Sequence, residues 1–209
     1  MDAHWAWVAA IGLGLFHGLN PGMGWLFAVS SGLQAGRGGA VWQALWPIGG
    51  GHLLAMAAVL VPVALLDRTL SQDGGLQVGA ALLLIGFGLY KLWVPRHPRI
   101  LARVGPRRLT LWSFLMATAH GAGLMLVPAF LGLGHAGHHA GHAAMLPTGV
   151  AAAVLMVAVH TLAMILAAGL VAWLVYRYLG LRLLRSAWLN TDYLWAVTLI
   201  IVGGVALVV

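Results

Sequence analysis

Six long stretches of this sequence contain almost no charged side chain, and this limits the folds open to the chain more than any other feature. They lie at 5–33, 43–66, 75–94, 109–133, 148–176 and 190–209. Each is long enough for an apolar helix of about 20 residues, which crosses a hydrocarbon core roughly 30 Å thick. A soluble domain has about a quarter of its residues charged, whereas this chain has 7%. The sequence therefore predicts an all-α integral membrane protein with six transmembrane helices in a lipid bilayer.

Basic residues are concentrated in the first, third and fifth loops between these segments. They are Arg37 in the first loop, Lys91, Arg96, Arg99, Arg103, Arg107 and Arg108 in the third, and Arg177, Arg182 and Arg185 in the fifth. The positive-inside rule makes these loops cytoplasmic and puts both termini outside. This pattern predicts a multi-pass protein of a bacterial-type inner (plasma) membrane. Because topology accounts for the net charge of +7, nucleic acid is not an expected partner.

Two histidine-containing patterns recur in the same order along the chain. A His-Gly pair begins at His17 in the first segment and again at His120 in the fourth. The pattern H-x-L-A-M begins at His52 in the second segment and again at His160 in the fifth. Two motifs that keep their order and spacing indicate an internal repeat.

The repeat is interpreted as two three-helix units at 1–94 and 109–209, joined by a basic cytoplasmic linker at 95–108. Because three is an odd number of spans, the two units have opposite orientations in the membrane. Many secondary transporters use such inverted repeats, with the substrate site near mid-membrane where the halves meet.

The four recurring histidines lie at similar depths. At 1.5 Å per residue, His17, His52, His120 and His160 are each about 9 to 12 residues into their segments, close to the bilayer centre. Ionisable groups there are costly and generally face the bundle interior, and imidazole is the commonest metal ligand among side chains. We therefore predict one shared metal site formed by all four imidazoles.

Three methionines lie one helical turn from these histidines. Met56, Met116 and Met164 are each four positions from one of them, so each shares a helix face with an imidazole. A thioether beside an imidazole suits a late first-row metal, particularly Cu(I). The alternative is that these flexible side chains fill the core.

Prolines are expected to disrupt one helix in each half. Asn20 and Pro21 should break the first segment, and Pro21 lacks the N–H that would bond the carbonyl of His17, which is predicted to free that oxygen beside the ring. In the fourth segment Pro128 should free the carbonyl of Leu124 in the same way. A simple kink at each proline is the alternative.

A histidine-rich tract at 134–142 lies in the predicted outer loop at 134–147. Its histidines are His135, His138, His139 and His142, set among Gly and Ala. Tracts of this composition bind transition metals, so the tract is expected to capture or receive metal outside. The alternative is a linker without a role.

The segments contain no Asp, Glu or Cys in their interiors. This argues against carboxylate-bridged di-iron chemistry, carboxylate proton relays and thiolate sites. Since a protonated imidazole cannot bind a metal, a site of four histidines would couple metal movement to protons.

The run from His17 to Gly22 resembles the H-G-x-x-P-G element of the nickel/cobalt efflux family within the LysE-type transporter superfamily. The position of His52 early in the second segment and the histidine-rich loop are also similar to that family. The resemblance implies a six-helix metal exporter with His17 and His52 as ligands and the tract at 134–142 as a metal-handling loop. Met23 and Gly24 stand where the family has a further His or Asp, so the identity of the metal stays open.

The favoured hypothesis is therefore a transporter of a transition-metal ion, not an enzyme. A second hypothesis is a membrane protein or enzyme in which paired histidines ligate a haem or a fixed metal. A third is a LysE-like exporter of a small organic solute, with the histidines serving proton coupling. The sequence leaves homo-oligomerisation and the direction of transport open.

Overall fold

The structure is a computed structural model that describes residues 3–69, 75–94, 105–139, 149–179 and 191–208. These residues are almost entirely helical and contain no strand. The helices are α1 (Ala3–Leu19), α2 (Trp25–Ala35), α3 (Gly39–Thr69), α4 (Gly75–Trp93), α5 (Pro106–Ala119), α6 (Ala122–His139), α7 (Val150–Leu174) and α8 (Thr191–Val208). A 3₁₀ turn, Pro21–Met23, precedes α2, and a π-helical turn, Val175–Leu179, extends α7.

Within the described ranges, three helical stretches are long and apolar enough to cross a membrane, which suggests an integral membrane protein. They are Gly39–Asp67, Gly75–Trp93 and Val150–Leu179. The pair α5 and α6 makes a fourth if it counts as one span, although the two helices are bent by 62° at the break between them. The apolar part of α8, Tyr193–Val208, is shorter. The all-helical class is thus confirmed for the described residues, and the candidate spans suggest a membrane protein. The six-span count and the inverted repeat stay predictions.

The element bounds differ from the sequence expectation at several places. The fourth segment is two helices, because α5 ends at Ala119 and α6 begins at Ala122. The first segment is two helices, because α1 ends at Leu19 and α2 begins at Trp25. The predicted loop at 134–147 is partly helical, since α6 runs on to His139. The predicted linker at 95–108 ends in helix, because Pro106 occupies the first turn of α5, where its missing N–H is tolerated.

Helices of the two predicted halves pack across one another at small residues. On α1, Gly14 and Gly18 lie against α7, where added Cβ atoms would stand 2.9 and 2.7 Å from the Cβ atoms of Ala163 and Ala167. On α3, Gly51 lies equally close to α5, with Ser113 Cβ 3.0 Å from the added atom. Small side chains let helix backbones approach closely in membranes.

The helices α4 and α8 form an antiparallel pair that also has glycines at the contact. A Cβ on Gly88 of α4 would lie 2.7 Å from Ile200 Cγ1, and one on Gly203 of α8 would lie 2.8 Å from Ile85 Cγ1. Gln77 near the start of α4 donates to the carbonyl of Ala206 near the end of α8 (3.1 Å).

Two hydrophobic cores occupy opposite ends of the bundle. The first core includes Ala6, Ala10, Ala55, Leu60, Ala64, Phe130, Ala152 and Val157. The second core includes Trp25, Val29, Val41, Leu45, Ile48, Leu109, Ala168 and Val175. On α3, His52 lies between Ile48 of the second core and Ala55 of the first. On α7, His160 is likewise flanked by residues of both cores. The histidines therefore lie at the middle level of the bundle.

The arginines whose side chains are described lie at the end of the bundle that holds the second core. Arg37 shortly precedes Val41 of that core, Arg108 directly precedes Leu109, and Arg177 follows Val175. Exposed aromatic side chains lie at the same end: Trp42, Trp46, Trp173 and Tyr178. Aromatic rings are enriched where a membrane meets water, so this end has the composition of a membrane interface.

Candidate metal centre

Three imidazoles from three helices meet at the middle of the bundle. One ring nitrogen from each of His17, His52 and His160 lies within 4.8 Å of the other two. The ring of His17 stands edge-on to those of His52 and His160, with centroids 5.1 and 5.0 Å apart, and the last two are stacked at 5.6 Å. The exposed fractions of the three side chains are 0%, 1% and 0%. These three form the triad.

Each triad histidine has one ring nitrogen without a hydrogen-bond partner. Nε2 of each triad histidine is buried and unpaired. Nδ1 of His17 lies 3.3 Å from the carbonyl of Leu13, and Nδ1 of His160 lies 3.0 Å from the carbonyl of Ala10. Because a carbonyl only accepts hydrogen bonds, Nδ1 carries the proton in both rings and Nε2 carries the lone pair. An imidazole oriented in this way is prepared to bind a metal.

Glycines on α1 bring two of the three rings together. Gly14 lies against the backbone of His160 itself, and Gly18 lies against the backbone of Met164 one turn further along α7. The closeness of the two backbones lets the carbonyl of Ala10 reach the ring of His160. The G-x-x-x-G spacing of Gly14 and Gly18 is the sequence signal for such an approach, and the sequence analysis did not use it.

The break after α1 is observed at Asn20 and Pro21, but it does not free the carbonyl of His17. That oxygen accepts a hydrogen bond from the N–H of Asn20 (3.1 Å), because the chain tightens into a shorter turn before Pro21. The Asn20 side chain in turn accepts from the N–H of Gly22 (2.9 Å) and caps the 3₁₀ turn. The expectation of an unpaired oxygen beside the His17 ring was wrong.

The structure does not place His120 in the triad. α5 ends at Ala119, and the ring of His120 turns back so that its Nδ1 lies 2.7 Å from the carbonyl of Met116. Gly121 follows with φ of +70° in the left-handed region, and the chain direction changes there. The predicted site of four histidines is thus a group of three, with His120 buried nearby (3% exposed).

Pro128 does not break its helix. It lies inside α6, which is continuous from Ala122 to His139. The disruption in this half lies instead at His120 and Gly121, because glycine adopts the left-handed conformation without the steric cost that other residues meet.

All three predicted methionine ligands are buried. The exposed fraction is 0% for Met56, 1% for Met164 and 7% for Met116, and Met56 belongs to the first core. Their burial fits either role proposed from the sequence, so thioether ligation stays a prediction. The tract histidines cannot be placed against the triad: α6 carries the backbone of His135, His138 and His139, but their side chains and the whole of His142 lie outside the described residues.

Two residues beside the triad had no role in the sequence analysis. Trp195 of α8 is 1% exposed, stands edge-on to the ring of His17 (centroids 4.2 Å apart) and donates from Nε1 to the carbonyl of His120 (2.6 Å). Thr161 follows His160, and its Oγ1 is buried and unpaired. Hydropathy does not separate such residues from other apolar positions, although the polar Thr next to an intramembrane His is a usable signal.

The triad can provide three neutral nitrogen ligands and leave further positions open. Among the side chains that the structure describes, the one carboxylate is Asp67, near the end of α3. Three imidazoles suit late first-row transition metals better than Mg²⁺ or Ca²⁺, which prefer oxygen. Neither a protein-family model, a curated protein nor a solved structure matches the chain.

Proposed function

We propose that the protein is a membrane transporter whose substrate is a late first-row transition-metal ion, bound in transit by His17, His52 and His160. The observation that carries the proposal is the set of three buried, unpaired Nε2 atoms at the middle of the bundle. An unpaired polar atom in an apolar interior is costly, so three such atoms on histidines whose rings lie together require a partner. A metal ion is the partner that three lone pairs share.

The proposal includes six spans in two inverted halves, with the end that holds the second core in the cytoplasm. Reciprocal packing supports the halves: α1 of the first half lies along α7 of the second, and α5 of the second lies along α3 of the first. The clustering of described arginines and exposed aromatics at one end supports the orientation. A site at the interface of inverted halves is where alternating access gives an ion exposure to each side in turn.

Proton coupling follows from the chemistry of the ligands. The same Nε2 lone pairs bind either protons or the metal, so metal binding excludes protons from the triad. Metal affinity should therefore fall as the pH falls. Neutral imidazoles alone leave the charge of a divalent ion uncompensated in a low-dielectric environment. Exchange of the metal ion for protons would reduce the change in charge at the triad during transport. This electrostatic cost is smaller for a monovalent ion such as Cu(I), because less charge is left uncompensated.

The triad geometry favours an ion over haem. Axial histidines hold a haem from its two opposite faces, with the flat macrocycle between them. Here the rings of His52 and His160 are stacked, and the ring of His17 stands edge-on against both. A Soret band in the absorption spectrum of the purified protein would overturn this choice.

Equilibrium binding of Co²⁺, a spectroscopically visible late first-row ion, tests the site. The protein is purified without a polyhistidine tag, in a background where His135, His138, His139 and His142 are each replaced by Asn. We expect a single Co²⁺ per chain, none in the His17→Ala, His52→Ala double variant, and unchanged binding in the control His4→Ala, since His4 is exposed. Equal Co²⁺ content in the double variant and its parent would remove the ligand assignment.

Transport is tested separately in proteoliposomes with a Co²⁺ gradient and a pH-sensitive dye inside. The proposal predicts Co²⁺ movement with counter-movement of protons in the parent protein, and neither in the double variant. Binding without movement would make the triad a fixed metal centre instead.

A further inference from the structure

His120 repeats the local geometry of His17 in the other half of the chain. Each histidine lies at or near the end of a helix and precedes a glycine. Each ring approaches the carbonyl four residues before it through Nδ1, at 3.3 Å for His17 and 2.7 Å for His120. Since carbonyls accept only, Nδ1 is the donor in both contacts. His120 thus shares the backbone contact of His17 although it is outside the triad.

The position of His120 is close to the triad. Its Nε2 lies 4.0 Å from where a Cβ on Gly22 would stand, in the break that follows His17. Trp195 contacts both rings edge-on, with centroid distances of 4.2 Å to His17 and 6.0 Å to His120. The two histidines therefore contact one shared aromatic side chain, that of Trp195.

The correspondence between the two halves of the repeat predicts how the ligands change when the site opens to the other side of the membrane. In the repeat, His17 corresponds to His120, and His52 corresponds to His160. When the halves exchange roles, as inverted repeats do in alternating access, the pair His52 and His160 maps onto itself. The partner of this pair changes from His17 to His120.

We propose that His120 is the alternate ligand of the transported ion: on the change of sides, His120 replaces His17 beside His52 and His160. This inference rests on the proposed function. The metal bond to Nε2 of His17 breaks as the bond to Nε2 of His120 forms, so the number of imidazole ligands and the total charge stay constant. Neither a redox step nor a proton transfer is needed for this exchange.

The first test separates binding from transport with Co²⁺ alone, in the background without tract histidines. We expect His120→Ala to keep equilibrium binding within about twofold and to lose about tenfold or more in transport rate, a loss of the size that follows when a ligating imidazole is disturbed. Loss of binding equal to that of His17→Ala would make His120 a fourth ligand of one site and overturn the proposal. Transport at the parent rate would overturn it equally.

The second test uses a replacement ligand, so that a folding defect does not imitate the expected result. The chain contains no cysteine, and a thiolate is a strong ligand for soft metals. We expect His120→Cys to move Cd²⁺ about tenfold faster than His120→Ala does. The control Thr118→Cys, in the His120→Ala background, places the same thiol on an exposed position of α5 and should restore nothing. Equal rates for His120→Cys and His120→Ala would overturn the proposal.

Failure of the broader proposal has a different signature. A parent protein that binds Co²⁺ but moves neither Co²⁺ nor Cd²⁺ overturns both proposals together. A parent protein that moves both ions while His120→Ala also moves them overturns the alternate ligand only.

Discussion

The two His-Gly pairs stop a helix in different ways. In the first half α1 continues for two residues beyond His17, and the chain then passes through the turn from Asn20 to Gly24 before α2 begins. In the second half His120 itself caps α5, and α6 begins after Gly121 alone. Both rings approach the carbonyl four residues before them, so ring direction along the helix does not separate the two histidines. The two pairs differ instead in the length of the turn that follows: five residues from Asn20 to Gly24 in the first half, and Gly121 alone in the second.

The largest expected difference between the two pairs is in metal affinity. His17→Ala should weaken Co²⁺ binding about 100-fold or more, because even loss of a hydrogen-bond partner to a ligating imidazole costs about 10- to 100-fold. His120→Ala should change it by no more than about twofold. Titration of both variants in the background without tract histidines measures the contrast. Equal losses of Co²⁺ affinity in the two variants would show that the two His-Gly pairs do not differ in metal binding.

The contact that brings His17 to His160 can be tested on one face of α1. Gly14→Ala should destabilise the protein by about 1 to 3 kcal/mol through overpacking, because its Cβ meets the backbone of His160 and the Cβ of Ala163. It should also weaken Co²⁺ binding. Gly12→Ala is the matched control, since nothing lies within 4 Å of its Cβ. Unfolding in mixed detergent micelles measures the stability of the two variants, and Co²⁺ titration measures their affinity. Equal unfolding free energies would contradict the close approach of α1 and α7.

The break between α5 and α6 depends on Gly121 for both its backbone conformation and its packing. Gly121→Ala and Gly36→Ala both put a side chain at positive φ, +70° and +63°, but only at 121 does the Cβ also meet Phe87, at 2.8 Å. We expect Gly121→Ala to cost about 1 kcal/mol more in unfolding free energy, the lower range for overpacking. A difference near zero would mean that Phe87 moves aside freely.

An effect of similar size is expected at Asn20, which caps the turn after α1. Asn20→Ala removes the acceptor for the N–H of Gly22 and should cost about 1 kcal/mol, as other lost caps do. Asn20→Ser keeps a capping oxygen and should recover most of that free energy. The same unfolding measurement compares them. If the two variants were equally destabilised, the hydrogen bond to Gly22 would not be what stabilises the turn.

The sequence predicted the level of the histidines well, because depth along an apolar helix depends only on rise per residue. His17, His52 and His160 were placed in one layer by counting, and they meet there. The break of the fourth segment could not be located in the same way. It lies at His120 and Gly121, where Gly121 is in the left-handed region, and apolar periodicity alone does not show whether a glycine within a span ends the helix.

Local backbone bonding was also beyond the sequence. The missing N–H of Pro21 was recognised, but the carbonyl of His17 finds the N–H of Asn20 instead, since buried backbone groups are paired wherever the chain can adjust. Pro128 shows the reverse case, because α6 tolerates it. Trp195 was missed because its contacts come from the pairing of α8 with the bundle, which no short motif specifies.

X-ray absorption at the cobalt edge tests the central claim most directly. It counts the imidazole ligands of Co²⁺ bound to protein in which the four tract histidines are replaced by Asn. The account predicts three imidazoles in that protein, three in its His120→Ala variant and fewer in its His17→Ala variant. A cobalt ion with four imidazoles, one of which is lost in His120→Ala, or a spectrum unchanged by His17→Ala, would contradict it.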